Sequence, residues 1–149
     1  MSSSLIWGKY TWLLFHTMAE KIKPEHFNKE KKNIIQLIKS ICSVLPCPTC
    51  VEHSAPYVKL IDNVKNQYDL KLFFLKFHNA VNKRRENTLE KETILETYKN
   101  KKLYQVINLW LEHFKTDTGN SEYMSKALSR KVVKTNVVKY FKQNLSKFS

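Results

Sequence analysis

The sequence predicts an all-α fold, and three observations support that prediction. The 149 residues include only two glycines and four prolines, which is few turn formers for a chain of this length. Leu, Ile, Lys, Glu and Asn are plentiful, and apolar residues recur at helical spacing over long stretches. The length suits one domain with its own core, followed by a short appendage.

The first two helices are read from their apolar patterns. Residues 5–22 are apolar on all sides, which predicts a buried helix that ends near Pro24. Asn28 is expected to cap a second helix. The wide apolar stripe of that helix consists of Ile34, Ile35, Leu37, Ile38, Ile41, Val44 and Leu45.

The sequence of the middle of the chain predicts a fourth helix and a fifth segment with two alternative ends. Asp69 is expected to cap a fourth helix over residues 70–86. Thr88 then starts a fifth segment, which either continues to Phe114 or breaks near Asn100.

Gly119-Asn120 marks the clearest boundary, so we expect one domain over residues 1–118 and a basic extension over 119–149. The valine pairs around Thr135-Asn136 leave a short hairpin open as an alternative to a helix. If the extension is helical, we expect these side chains to pack on the bundle or on a second subunit: Leu128, Val132, Phe141 and Leu145.

The charge of the chain is strongly positive, with a formal net charge of +13. Between residues 126 and 147 there are seven cations and no acid: Lys126, Arg130, Lys131, Lys134, Lys139, Lys142 and Lys147. This predicts either an anion-binding tail for nucleic acid, acidic lipid or an acidic partner, or only a solubilising helix face. The sequence around these cations shows no spacing typical of a zinc finger or of a helix-turn-helix motif.

Three features bear on the compartment. No apolar run approaches the ~20 residues of a membrane span, since Lys9 and His16 interrupt residues 5–19. The first four residues lack the basic segment of a signal peptide, so secretion by that route is not expected. The chain has an odd number of cysteines, which is not typical of a small secreted protein held together by disulfide bonds.

The most informative motif is Leu45-Pro46-Cys47-Pro48-Thr49-Cys50. Pro48 suits the first position of a helix, so the two cysteines would lie at the N-terminus of a third helix that runs to about Ile61. There the helix dipole favours thiolate over thiol. Such a pair can close a small disulfide, bind a metal, or pass electrons to a cofactor.

A zinc site is the metal alternative. It would use Cys47, Cys50 and His53, with Cys42 or His26 as the fourth ligand that tetrahedral zinc requires.

Two further groups of residues suggest a ligand with rings and phosphates. Gly8, Trp12 and His16 recur every four residues and therefore share one helix face. His78 and Asn82, also four residues apart, place polar groups on an otherwise apolar helix, which is costly unless they are bonded.

With these three motifs in this order, the chain resembles the Erv-type FAD-linked sulfhydryl oxidases, the family of augmenter of liver regeneration. The likeness covers about residues 7–98: Trp7-Gly8 with Trp12 and His16, then Cys47-Pro48-Thr49-Cys50, then His78-Asn79-Ala80-Val81-Asn82. In its short length and its Leu-Pro-Cys-Pro-X-Cys motif, the chain looks most like the oxidases of large cytoplasmic DNA viruses.

The resemblance implies a four-helix bundle with a short fifth helix that holds FAD and pairs as a homodimer. It also implies that Cys47 and Cys50 are the redox-active disulfide, with Cys47 facing the substrate. The implied FAD-contacting residues are Gly8, Lys9, Trp12, His16, His53, Tyr57, His78, Asn79, Val81, Asn82, Lys83, Arg84 and Tyr98. Two positions depart from the family pattern: Arg85 stands where the family often has Leu, and Tyr98 replaces the commoner Trp.

The implied activity is oxidation of thiols to disulfides, with electrons passing through the cysteine pair and FAD to molecular oxygen. The substrate would be a small thiol or a separate Cys-X-X-Cys carrier protein, because Cys42 alone cannot form a second disulfide within the chain. The expected location is the cytoplasm, or the host cytoplasm or virion if the protein is viral.

Overall fold

The computed structural model describes residues 6–114 and 124–149, and these residues confirm the all-α class. The α-helices are α1 Ile6–Lys21, α2 Pro24–Ser43, α3 Pro48–Val58, α4 Gln67–Arg84, α5 Leu103–His113 and α6 Met124–Asn144. Within the described ranges, three 3₁₀ helices accompany them, over Lys59–Asn63, Glu92–Asn100 and Leu145–Lys147. None of the described helices is long and apolar enough to cross a bilayer.

Two predicted helix starts are wrong by about one turn. α2 begins at Pro24 rather than at Asn28, because proline with its fixed φ and missing N–H suits a first helical turn. α4 is capped by Asn66, whose side chain accepts a hydrogen bond of 2.8 Å from the Asp69 N–H. Asp69 instead accepts a hydrogen bond from the Lys65 N–H at 3.0 Å, so its side chain satisfies a backbone donor one residue before the cap.

Two other predicted segments have α-helical parts that are shorter than the longest helix the sequence allowed. The third helix stops being α-helical at Val58 and continues as the 3₁₀ helix Lys59–Asn63. The fifth segment breaks near Asn100, the shorter of the two alternatives, and α5 starts at Leu103. The segment's predicted start at Thr88 is wrong, because the 3₁₀ helix begins only at Glu92, after Lys91.

α1 lies at the centre of the core and packs against α4, α5 and the 3₁₀ helix Glu92–Asn100. Phe15 stacks on Phe74 of α4 with ring centroids 5.0 Å apart. The buried Trp110 of α5 donates to the Thr11 hydroxyl at 3.2 Å, and that hydroxyl donates to the Trp7 carbonyl at 2.7 Å. The polar atoms at this contact are therefore paired where the helices meet.

α6 packs on α2, and the hairpin alternative for the tail is wrong. The predicted packing residue Phe141 is buried, whereas Leu128, Val132 and Leu145 are exposed. The residues that join the core from this end of the chain are Val133, Val137, Phe141 and Phe148. The predicted boundary at Gly119-Asn120 lies outside the described residues.

Glu30 of α2 anchors the C-terminal end of the chain. The Tyr140 hydroxyl donates a hydrogen bond of 2.8 Å to Glu30 Oε1, and the Lys147 ammonium donates one of 2.8 Å to Glu30 Oε2. Burial would raise the pKa of Glu30, but hydrogen bonds from Lys147, Tyr140 and Asn33 outweigh it and lower that pKa. A buried carboxylate is thus kept charged by partners from α6 and the segment after it.

We expect Phe141→Ala to lower the free energy of unfolding by about 3–5 kcal/mol, because the ring is buried in the core and packs on Phe148 with centroids 5.2 Å apart. Leu128→Ala is the matched control on the same helix, and its 70% exposed side chain should change stability by less than about 0.5 kcal/mol. Chemical denaturation measures both values. Equal losses in the two variants would contradict the observed face of α6.

Candidate functional site

The two cysteines of the motif form a disulfide at the start of α3, with Cα atoms 5.2 Å apart. Cys47 is the N-cap residue, in extended conformation, and Pro48 opens the helix. The Cys47 sulfur accepts a hydrogen bond from the Cys50 N–H at 3.2 Å. The helix start therefore fixes the position of both sulfur atoms locally.

The disulfide lies between the protein surface and a cavity. Cys47 is half-buried and does not line the cavity, whereas Cys50 is 9% exposed and does. One sulfur is thus accessible from outside, and the other borders the interior space.

The cavity has a volume of about 530 Å³, within the range of small-molecule sites. Its walls come from α1, α2, α3, α4 and the 3₁₀ helix Glu92–Asn100. The lining residues are Trp7, Gly8, Lys9, Thr11, Trp12, Leu13, Phe15, Cys42, Leu45, Cys50, Ser54, Phe77, His78, Val81, Asn82, Arg84, Arg85, Asn87, Thr97, Tyr98 and Lys101.

Stacked rings form one wall of the cavity. Trp12 of α1 stacks on His78 of α4 with centroids 4.2 Å apart and planes at 9°. Phe77 meets the Trp12 ring edge-on at 4.9 Å. Tyr98 stacks on His16 at 4.7 Å, which ties the 3₁₀ helix to the same cluster. Flat surfaces of this kind suit a ligand that itself contains flat rings.

The two histidines of this ring cluster are held neutral and bonded to each other. His16 Nε2 and His78 Nδ1 lie 3.1 Å apart. Burial, with a smaller effect from His78, lowers the pKa of His16 to about 3, and burial lowers the pKa of His78 to about 4. The His16 Nδ1 atom has no partner among the described residues.

This pattern favours one tautomer. A buried N–H without a partner costs more than an unpaired lone pair, so we assign the His16 proton to Nε2. His16 then donates to His78 Nδ1, and His78 carries its own proton on Nε2. Since His78 lines the cavity, it offers a hydrogen-bond donor to a ligand there.

The cavity is also lined by cationic side chains and by a hydrogen-bond donor that has no partner among the described residues. The lining includes Lys9, Arg84, Arg85 and Lys101, and none of the described residues contributes a carboxylate to it. Trp7 also lines the cavity, and its indole N–H is buried with no partner among the described residues. This set suits a ligand that carries anionic groups and hydrogen-bond acceptors.

Gly8 borders the cavity in the first turn of α1. A Cβ atom at this position would meet no protein atom within 4 Å. Packing within the chain therefore gives no reason for glycine in a helix, where it is less favourable than alanine. A close approach of ligand to backbone gives such a reason.

The end of α4 brings two more residues to the cavity. Glu86 adopts a positive φ of 59°, which turns the chain after Arg85. The Asn87 N–H bonds the Asn82 carbonyl at 2.8 Å, and the Glu86 N–H bonds the Lys83 carbonyl at 3.2 Å, as in a Schellman motif. Arg85 and Asn87, on either side of this turn, both line the cavity.

The structure brings together most of the residues that the sequence suggested. Those that line the cavity are Cys50, Gly8, Lys9, Trp12, His78, Val81, Asn82, Arg84 and Tyr98. His16 lies behind this wall, bonded to His78. The residues that do not line it are Cys47, His53, Tyr57, Asn79 and Lys83.

Asn79 has a different observed role. Its side chain donates to the Glu90 carbonyl and accepts from the Glu90 N–H, both at 2.8 Å, so it holds the segment that follows α4. Tyr57 is exposed and stacks on Phe77 with ring centroids 5.8 Å apart.

Sequence reasoning missed several lining residues. They include Thr11, Leu13, Phe15, Leu45, Ser54, Phe77, Arg85, Asn87, Thr97 and Lys101. Phe77 carried a signal, since it adjoins His78. For Thr97 and Lys101 nothing in the local pattern distinguishes a cavity residue from an exposed one.

The described residues hold no cluster of three or more His, Cys, Asp or Glu that suits a metal ion. Cys47 and Cys50 are joined to each other, and Cys42 is buried with its thiol pKa raised to about 12 by desolvation. The zinc alternative therefore has no support in the part of the chain that the structure describes.

The lowered pKa of His16 predicts a pH-dependent stability. In the unfolded chain this imidazole binds a proton below pH 6.5, whereas in the folded chain it stays neutral down to about pH 3. The contribution of the neutral histidine is full above 6.5 and is lost as the pH falls towards 3, because the unfolded state binds more protons.

We expect His16→Gln to flatten this dependence by about 1.4 kcal/mol per pH unit below the unfolded pKa. Denaturant unfolding of both proteins at a series of pH values measures the difference, and NMR of the imidazole reports its protonation directly. Parallel stability curves would contradict the assignment of a neutral, buried His16.

A comparison with known protein families finds a match over more than half of the chain. The sequence model of the Erv1/Alr family matches residues 9–105, which contain both cysteines and most of the cavity lining. No solved structure was found to match.

Three curated relatives illustrate the likeness. A putative FAD-linked sulfhydryl oxidase of Invertebrate iridescent virus 3 is 30% identical over 98 residues, which are 63% of this chain and 66% of the relative. An FAD-linked sulfhydryl oxidase of African swine fever virus is 34% identical over 115 residues, 76% of this chain and 92% of the relative. An FAD-linked sulfhydryl oxidase of rice is 27% identical over 77 residues, 51% of this chain and 40% of the relative. The chain therefore belongs to the Erv1/Alr family.

Proposed function

We propose that this protein is an FAD-dependent thiol oxidase that makes disulfide bonds in substrate thiols. The observation that carries the proposal is the placement of one disulfide between surface and cavity. Cys47 is accessible from outside, and Cys50 borders a space of about 530 Å³ lined by rings and cations. A redox-active pair in this position can take electrons outside and deliver them inside. The names of the relatives point to the same activity.

The residues of the cavity fit FAD. Trp12, His78 and Tyr98 offer flat faces for its ring systems, and the cations suit its pyrophosphate. The unpaired indole N–H of Trp7 and the open space at Gly8 leave room and a donor for a polar ligand. Bound FAD supplies two-electron redox chemistry, accepting electrons from thiols and passing them to an acceptor.

The thiol chemistry of the chain begins at Cys47. A substrate thiolate attacks the Cys47 sulfur, a new substrate–Cys47 disulfide forms, and the Cys47–Cys50 bond breaks with its electron pair leaving on Cys50. A second substrate thiolate attacks the substrate sulfur of this mixed disulfide. That step releases the substrate disulfide and leaves Cys47 as a thiolate. The two electrons taken from substrate then reside on the Cys47–Cys50 pair, with Cys50 beside the cofactor cavity.

The final electron acceptor in this proposal is molecular oxygen. One turnover converts two thiols and one oxygen molecule to a disulfide and hydrogen peroxide. The substrate is a small thiol or a carrier protein with its own Cys-X-X-Cys motif, because the third cysteine, Cys42, is buried and protonated.

The remaining parts of the proposal rest on the family resemblance and on the viral relatives. They are a four-helix bundle, pairing as a homodimer, and a location in the host cytoplasm or the virion. We propose that residues 1–118 form the domain that holds FAD. Within that domain, five residues that do not line the cavity are also proposed to contact FAD: His16, His53, Tyr57, Asn79 and Lys83. Residues 119–149 are an accessory extension, for which nucleic acid or an acidic surface is a second, minor partner.

We expect Cys47→Ser and Cys50→Ser each to abolish oxidation of dithiothreitol, since either change removes the disulfide that accepts electrons from substrate. Both variants should keep bound flavin. Oxygen consumption and the visible absorption of the purified proteins measure the two properties.

Cys42→Ala is the control for these variants. Its thiol is protonated at neutral pH, with a pKa near 12, and is therefore a poor nucleophile. Because Cys42 also lines the cavity, turnover is measured per bound flavin, and on that basis it should stay in the same order of magnitude. A cysteine-pair variant that retains near-normal turnover would overturn the mechanism.

Gly8→Ala should separate stability from cofactor binding. Alanine favours the helix by up to about 1 kcal/mol and clashes with no protein atom, so the flavin-free protein should gain stability. Flavin content should fall, because the new methyl group occupies space at the cavity wall. Ile6→Ala, an exposed change in the same turn and outside the lining, is the control and should leave flavin content unchanged. Normal flavin content in Gly8→Ala would show that the ligand does not approach this backbone.

A further inference from the structure

Arg85 donates a hydrogen bond to the inner sulfur of the disulfide. Its Nη2 atom lies 3.5 Å from Cys50 Sγ, at hydrogen-bond distance for sulfur. Arg85 is half-buried at the C-terminal end of α4, and the Schellman turn after it fixes its backbone. None of the salt bridges among the described residues involves this guanidinium.

We propose that Arg85 binds the Cys50 thiolate that forms when the Cys47–Cys50 disulfide opens. The inference rests on the proposed function and deepens it by adding a residue that acts on the leaving sulfur. When a substrate thiolate bonds to Cys47, the electron pair of the broken S–S bond goes to Cys50. A guanidinium already 3.5 Å from that atom stabilises the new negative charge.

The consequence is faster opening of the disulfide. Thiol–disulfide exchange speeds up as the leaving thiolate becomes more stable. A reduced pair with a stabilised thiolate also makes the disulfide the stronger oxidant. Arg85 therefore makes Cys50 the better leaving group of the two sulfurs and directs substrate attack to the accessible Cys47.

Other groups near Cys50 have to be separated from Arg85. Those that share the cavity with Cys50 are Lys9 of α1, Cys42 of α2, His78 and Arg84 of α4, and Lys101. Glu52 and His53 of α3, and Lys59 and Asp62 of the adjoining 3₁₀ helix, are exposed. Asp62 is paired with Lys39 at 2.9 Å. Of all these charged groups, Arg85 is the one with a recorded hydrogen bond to the sulfur.

The N-terminus of α3 also favours a thiolate, but it does so in every variant with an intact backbone. The test therefore changes position 85 alone and keeps the helix start constant.

The test measures the thiolate of Cys50 directly. In a Cys42→Ala, Cys47→Ser background Cys50 is the sole cysteine, and serine at 47 preserves a helix N-cap. The rate of alkylation by iodoacetamide, a neutral reagent, is followed by mass spectrometry from acidic to alkaline pH. The proteins compared are the background itself and the same chain with Arg85→Gln, Arg85→Lys or Lys76→Gln.

We expect Arg85→Gln to raise the pH midpoint of alkylation by about one unit, an effect of roughly tenfold on the thiolate fraction below the midpoint. Arg85→Lys keeps the charge and should retain part of the effect. Lys76→Gln removes an exposed charge from the same helix, outside the cavity, and should leave the midpoint unchanged.

An unchanged midpoint in Arg85→Gln would overturn the proposal, as would equal shifts in the Gln and Lys variants. Circular dichroism of each variant confirms that the helices remain. The assay needs neither FAD nor turnover, so a normal Arg85 effect in a protein without flavin would refute the oxidase function alone. An oxidase with no Arg85 effect would refute this inference alone.

Discussion

The contact between α1 and α4 is the interaction on which the rest of the site depends. Trp12 stacks on His78 at 4.2 Å, and His16 shares a hydrogen bond of 3.1 Å with the same ring. Deeper in the core, Phe15 stacks on Phe74 and sets the spacing of the two helices. Because both histidines are kept neutral by burial, the wall brings no net charge into the core. The helices are thus joined firmly on one side of a space that the protein itself does not fill.

The cavity and the disulfide have opposite requirements that the fold meets in one place. Redox exchange needs an accessible sulfur, whereas cofactor chemistry needs a site shielded from water. At this helix start, Cys47 is partly exposed outside the cavity, whereas Cys50 belongs to the cavity lining. Since the described part of the chain places cations but no carboxylate in the cavity lining, the charge of that lining is positive. That charge favours both an anionic cofactor and a thiolate at Cys50.

The C-terminal helix extends the core beyond the part of the chain that matches the family. Val137 and Phe141 bury against α2, and Glu30 holds Tyr140 and Lys147 through its two oxygens. The basic residues of this helix are not all alike, since Arg130 is fully buried while Lys131 and Lys139 are exposed. A charged tail judged from composition as a uniform solvated face therefore contributes both packing and surface. α6 covers a face of α2 that would otherwise be apolar and exposed.

Much of the fold could be predicted from sequence, because its determinants are local. Proline geometry placed Cys47 and Pro48 at a helix start, and helical spacing put Trp12 and His16 on one face. Helix ends were less predictable, as at Asn66 and Asp69, where neighbouring residues offer equivalent caps. Tertiary structure alone decided which face of α6 is buried and which residues line the cavity. His16 meets His78 across 62 residues, and Arg85 reaches Cys50 across 35. Such contacts depend on how the helices pack against each other, which no local pattern encodes.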